Sequence, residues 1–375
     1  MSGNGGARGS RLGRAALVAG LLGLAACAPA LAPSGPPDGL AAMTPLSFRA
    51  RDGIVLPLRS WEPAKGPVRA EILALHGFND YSGAFETAGP ALAARGIAVH
   101  AYDQRGFGTA PGRGLWPGGD ILVRDAREAI ATLHARHPER PLYVLGESMG
   151  GAIAITALTG PEAPRDLVAG LVLSAPAVWG RDTMPWSYRA ALWLASRVVP
   201  GLRLSGKGLK RYPSDNLPLL YRIAEDPLWI RATRTDAMRG VVDIMDQAYA
   251  RAGALGGPVL MLYGLNDQII PAEPIREVAR RLPGEPPLQR LAVYPEGWHL
   301  LTRDLQAEVV LDDIAAWIAN PAAPLPSRAE ERAGAFLKGE LTSMEEHDQR
   351  ADPYRLWQAR KPAPPPQDPT VTAPP

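Results

Sequence analysis

One cysteine, Cys27, occurs in the 375 residues, so no intramolecular disulfide can form and no thiolate metal cluster can assemble. No internal repeat recurs, which excludes a solenoid or a propeller. A dominant charge sign is missing too: 40 Lys and Arg stand against 38 Asp and Glu, a net charge of +2. Three of the cations, Arg8, Arg11 and Arg14, lie in residues 1–26, which carry no acid; without that stretch the net charge is −1. A nearly neutral chain gives no electrostatic reason to bind nucleic acid, and no nucleic-acid partner is expected. Glycine and proline are plentiful instead, at 39 each, in a chain that is 46% hydrophobic and 21% charged. That composition is globular, with irregular segments set around a core.

Residues Gly3 to Arg14 are polar and basic, and Ala15 to Ala26 form a twelve-residue apolar run. As a helix that run spans about 18 Å, short of the ~30 Å hydrocarbon core, so it reads as a secretory signal rather than a membrane span. It closes on Leu24-Ala25-Ala26-Cys27, which resembles the lipobox of bacterial lipoproteins. That resemblance implies an acylated Cys27 and a membrane anchor. An ordinary signal cleaved near an Ala-x-Ala site, with Cys27 incidental, is the alternative. Ala28, where enteric bacteria place Asp to retain a lipoprotein in the inner membrane, implies an outer-membrane location facing the periplasm. Residues 27–43 lack periodicity and read as a tether.

From residue 44 to 319 strand and helix patterns alternate. A hairpin around Arg51-Asp52-Gly53 comes first, then apolar strand patterns at Val68–Leu75, Ile97–Tyr102, Leu142–Gly146, Leu167–Leu173, Val259–Tyr263 and Leu291–Tyr294. Helical patterns lie between most of them. The alternation predicts an α/β fold, a mostly parallel sheet with helices on both faces. Residues 177–256 interrupt it with helical patterning and read as a cap insertion. From 320 to 375 the pattern dissolves into a charged, then proline-rich tail, expected to be disordered, through which contact with a protein or the cell wall stays open.

The chemistry falls at strand ends. Gly146-Glu147-Ser148-Met149-Gly150 follows one strand and opens a helix, which places the Ser148 hydroxyl on a sharp turn at a helix N-terminus. A serine hydroxyl needs a base. Of six histidines, His299 in Gly297-Trp298-His299 follows the last strand and so shares the sheet edge with Ser148. Asp267, in the loop after Val259–Tyr263, shares that edge and can hold the imidazole tautomer. The backbone amides of Met149 and of Phe78, in His76-Gly77-Phe78, are the expected oxyanion donors. His76 is expected to brace its loop. No cofactor or metal is required.

On these motifs, with Asp103-Gln104-Arg105-Gly106-Phe107-Gly108, the span 44–319 resembles the monoacylglycerol lipase and lysophospholipase branch of the α/β-hydrolases, the serine aminopeptidase-like hydrolase 4 family. The resemblance implies the triad, a helical cap, and a lipid ester substrate such as a monoacylglycerol or lysophospholipid. The family often has His where this chain has Glu147. A peptidase or thioesterase with the same triad, and a non-catalytic envelope binding protein on the same scaffold, are the alternatives. Four tryptophans in the cap, Trp179, Trp186, Trp193 and Trp229, favour an apolar acyl pocket, and no basic cluster that would commit the site to an anionic headgroup is evident.

Overall fold

The structure, a computed structural model, describes residues 30–206, 209, 211–284 and 288–341. Cys27, the signal segment 1–26 and the proline-rich end of the tail lie outside the described residues. Strands β1 (Ala42–Met43), β2 (Ser47–Arg49) and β3 (Val55–Trp61) form an antiparallel edge. β3 pairs antiparallel with β5 (Ile97–Tyr102). Beyond it the sheet is parallel, through β4 (Ala70–Leu75), β6 (Leu142–Glu147), β7 (Gly170–Ser174), β10 (Val259–Gly264) and β11 (Gln289–Tyr294). β8 (Arg203–Leu204) and β9 (Thr233–Arg234) form a separate pair in the cap. Every residue of β4, β5, β6, β7, β10 and β11 is buried, as continuous apolar strands require when both faces are covered.

One face carries α2 (Gly119–Arg136), α3 (Met149–Ala157), α6 (Thr235–Arg251) and α7 (Ala272–Arg281). The other carries α1 (Ala88–Ala94) and α8 (Ala307–Ala319). Helix α3 reads MGGAIAITA and all nine residues are buried. Its glycines let it press on the sheet: a Cβ at Gly150 would lie 1.9 Å from the Leu75 carbonyl oxygen. The α/β fold, mostly parallel with helices on both faces, is as the sequence predicts.

Three boundaries differ from the sequence reading. The cap was expected over 177–256, yet α6 packs on α3 and buries Val241, Ile244, Ala248 and Tyr249 in the main core. The insertion proper ends near residue 234 and holds α4 (Trp186–Val198) and α5 (Leu217–Glu225). The supposed tether is seated from Ala30 on: Ala32 is buried and its amide donates to the Trp116 carbonyl at 3.1 Å, and Ala42–Met43 joins the sheet as β1. The supposed tail is ordered over 320–341. Phe336 is wholly buried against Tyr263, with ring centroids 5.2 Å apart, and Arg290 donates to the Pro321 and Ala323 carbonyls. Single anchoring residues spaced widely in a polar context carry these contacts, and periodicity cannot reveal them. Among the described residues no helix is long and apolar enough to cross a membrane.

Candidate active site

Because β4, β6, β7, β10 and β11 run parallel, the loops leaving their C-terminal ends meet at one edge of the sheet. Ser148 sits between β6 and α3 with φ 52° and ψ −116°, a backbone conformation that costs a non-glycine residue about 1–3 kcal/mol. Neighbours hold the turn: its amide donates to the Ser174 carbonyl at 3.0 Å, and its carbonyl accepts from Gly151, Ala152 and Ala177.

Asp267 and His299 leave β10 and β11 and meet. Asp267 Oδ1 accepts from the amides of Ile269 and Ile270 at 2.7 and 2.9 Å, and its Oδ2 accepts from His299 Nδ1 at 2.8 Å. The two loops touch at glycines, since a Cβ at Gly264 would lie 2.3 Å from the Gly297 carbonyl carbon. Burial pushes the His299 pKa down, but the charge and hydrogen bond of Asp267, helped by Glu147 and Asp304, push it up by more, so the net shift is upward. With Nδ1 donating, Nε2 is the imidazole's basic atom. No hydrogen bond joins Ser148 Oγ to the imidazole among the described residues; bonds of this kind commonly tighten only with substrate in place.

The loop after β4 supplies the third wall. A Cβ at Gly77 would lie 3.4 Å from the Ser148 Cβ. His76 is buried with its pKa lowered to about 4, chiefly by burial, so the ring is neutral. Its Nε2 accepts from the Gln104 amide at 3.0 Å, which leaves Nδ1 to donate to the Gly77 carbonyl at 2.9 Å. The Asp80 amide donates to the same carbonyl at 3.3 Å. In a trans peptide, fixing the Gly77 C=O fixes the Phe78 N–H in the opposite direction. His76 therefore orients the expected oxyanion donor, as its loop-bracing reading requires. Met149, the first residue of α3, carries an amide with no intrahelical acceptor. Asp103 does structural work: its carboxylate accepts from Ser82 and Thr109. Arg105 is buried between Asp52 and Asp125.

One cluster escaped the sequence reading. Arg303 Nη2 bonds Glu147 Oε1 at 2.5 Å and Asp80 Oδ2 at 2.8 Å, and Thr302 Oγ1 donates to Glu147 Oε2 at 3.1 Å. All four residues are buried. Glu147 precedes Ser148, Asp80 follows Phe78 by two, and Arg303 follows His299 by four, so one guanidinium ties together the three loops that carry the site. Glu147 at the position of the family's frequent His was the available signal. Burial, with Glu147 nearby, raises the Asp80 pKa to about 6 against the opposing pull of Arg303. Arg303→Met leaves two buried carboxylates uncompensated and is expected to cost about 3–5 kcal/mol. A urea unfolding midpoint equal to wild type would show that the cluster does not hold the loops.

The cap is sewn to the same loops. Tyr212 N donates to Gln268 Oε1 at 2.9 Å, Leu300 N to the Pro213 carbonyl at 2.9 Å, and Asn216 Nδ2 to the Arg303 carbonyl at 2.9 Å. Ser214 Oγ donates to Asp304 Oδ1 at 2.6 Å, and Asp304 Oδ2 accepts from Trp298 N at 2.7 Å. Burial, with Asp215 adding to it, raises Asp304 to about 8 despite these bonds. Among the described residues no group of His, Cys, Asp or Glu is arranged to hold a metal.

A strained serine at a strand–helix turn, a buried His–Asp pair and a braced loop, all at one edge of a parallel sheet, define an α/β-hydrolase. The hydrolase 4 family, described as serine aminopeptidase, S33, matches residues 66–306, and the chain belongs to that family. A monoacylglycerol lipase of Mycolicibacterium smegmatis is 28% identical over 287 residues, covering 73% of this chain and 96% of that protein. The human monoglyceride lipase is 28% identical over 286 residues, covering 72% and 88%. In structure, the monoacylglycerol lipase of Paleococcus ferrophilus superposes with a TM-score of 0.60 at 24% identity, over 71% of this chain and 99% of that one, a likeness of fold. The chain is a carboxylic ester hydrolase.

Proposed function

We infer that the chain hydrolyses lipid-like carboxylic esters, with monoacylglycerol or lysophospholipid as substrate, through Ser148, His299 and Asp267. The hydrogen bond from His299 Nδ1 to Asp267 Oδ2 at 2.8 Å, on the edge that bears Ser148, carries the reading. His299 Nε2 takes the proton as Ser148 Oγ attacks the ester carbonyl. The Phe78 and Met149 amides hold the oxyanion. His299 then protonates the departing alcohol, and water, deprotonated in turn by His299, releases the fatty acid from the acyl-enzyme. Relatives named monoacylglycerol lipase and spanned over most of their length support the substrate class. The test is a panel of monoacylglycerols, lysophospholipids, p-nitrophenyl esters, thioesters and aminoacyl anilides. Monoacylglycerols or lysophospholipids should give the highest kcat/KM; faster anilide or thioester cleavage would reassign the enzyme to peptides or thioesters.

The anchor is part of this reading: acylated Cys27 holds the enzyme to the bacterial envelope, at the outer membrane facing the periplasm. Two or three acyl chains retain a protein where one does not. Cys27→Ser is expected to release it from the membrane fraction with ester hydrolysis intact in detergent; unchanged retention would remove the anchor.

A further inference from the structure

Helix α4 turns its aromatic residues outward. Trp186 and Trp193 are 78% and 57% exposed, so these two of the four cap tryptophans face outward rather than into a buried pocket. Between them stands Arg189, and one turn beyond comes Arg197, whose guanidinium lies 4.4 Å over the Trp193 ring. With Arg181 and Arg239 these residues line a groove of about 530 Å³. The acid lining it is Asp243, which pairs with Arg181 at 2.6 Å and lies 3.8 Å from Arg239. Arg189 and Arg197 have no carboxylate partner among the described residues. The basic cluster that could not be seen in the sequence is therefore present, but on the cap surface rather than in the catalytic edge.

The groove continues into a second cavity of about 140 Å³ that shares Ser196, Arg239 and Asp243 and is walled on its far side by Ala30 and Leu31. The described chain thus begins beside the groove. Cys27 is three positions before Ala30 in the chain, a span of at most about 11 Å. Ala30, the first described residue, and the arginine–tryptophan face therefore share one side of the molecule.

We propose that this face is a docking surface for an anionic phospholipid bilayer, with lipid phosphates seated among Arg189, Arg197 and Arg239 and the Trp186 and Trp193 rings at headgroup depth. The guanidinium groups of Arg189 and Arg197, without a carboxylate partner among the described residues, complement phosphate, tryptophan favours the interface, and the exposed Leu194 and Val198 add apolar area beside them. The docking does not depend on hydrolysis, so it stands or falls apart from the proposed activity.

The experiment uses the full chain carrying Cys27→Ser, so that no acyl group contributes, and Ser148→Ala, so that no lipid is consumed. Cosedimentation is measured with vesicles of phosphatidylcholine alone and with 30% phosphatidylglycerol, against the same protein carrying Arg189→Gln and Arg197→Gln. The parent should prefer the anionic vesicles, and the double replacement should weaken that binding about 30-fold, the loss of two cations at a charged surface. Brominated lipid should quench parent tryptophan fluorescence, and a Trp193→Phe partner should lose part of that quenching. A double variant with an unchanged thermal midpoint that sediments like its parent overturns the proposal. So does full displacement of the vesicles by inorganic phosphate at low millimolar concentration, which would make the groove a site for the free anion.

Discussion

Replacing Ser148 by alanine is expected to lower kcat on the order of 10⁶-fold and to abolish labelling by a fluorophosphonate, while the protein stays folded. The size follows from what removal of a nucleophilic serine costs in a serine hydrolase whose other parts remain. Alanine keeps the Cβ and with it the strain of φ 52° at position 148, so stability should barely change. Ser148→Gly is a useful partner variant: glycine adopts positive φ without a steric penalty, so it should be as inactive yet at least as stable as wild type. Measured kcat with a fast-reacting p-nitrophenyl ester and urea midpoints for all three proteins would check both halves. Wild-type labelling of the alanine variant would remove Ser148 from the mechanism.

Asp267→Asn is expected to lower kcat about 10⁴-fold, because an amide in that place favours the wrong imidazole tautomer and no longer stabilises the imidazolium. The pH profile carries a second, independent readout. In the proposed mechanism His299 must be neutral to accept the serine proton, and its pKa is raised from the ordinary 6.5. Activity is therefore full above the raised pKa and is lost as pH falls through it, so the acid limb of kcat/KM should lie above pH 6.5. Without the Asp267 charge, burial pushing downward meets less opposition, and the limb of the residual activity should move to lower pH. A limb that stays in place would belong to another group, of which Asp304, with a pKa near 8, and Asp80, near 6, are the neighbouring candidates.

The sheet, the turn at Ser148 and the placement of Asp267 and His299 on one edge were legible because each rests on local pattern. Continuous apolar strands imply a parallel sheet, and parallel strands put their outgoing loops together. Arg303 was not legible, since its value comes from Glu147 and Asp80, which lie 156 and 223 residues away in the chain. Helix α6 was assigned to the cap because an amphipathic helix does not declare which surface it covers; it packs on α3 of the body as well as on α4 of the insertion, and Val241, Ile244, Ala248 and Tyr249 join the main core. The arginine groove was hidden for a similar reason. Arg189 and Arg197 stand eight residues apart on one helix, and only the fold brings Arg181 and Arg239 beside them. Residues 320–341 read as loose because one buried phenylalanine among charges is a weak pattern, although its contact with Tyr263 and its carbonyl bond to Arg276 fix the segment.

The stitching of residues 211–216 to the loops of Asp267 and His299 makes this strap a mechanical extension of the loop that carries the proposed base. Pulling it outward would strain the bond from Leu300 to Pro213 and the Ser214–Asp304–Trp298 relay in one motion, and both end within two residues of the imidazole. Substitutions that free residues 211–216, such as Ser214→Ala, are therefore expected to lower kcat more than they raise KM, although none of these residues is part of the proposed triad.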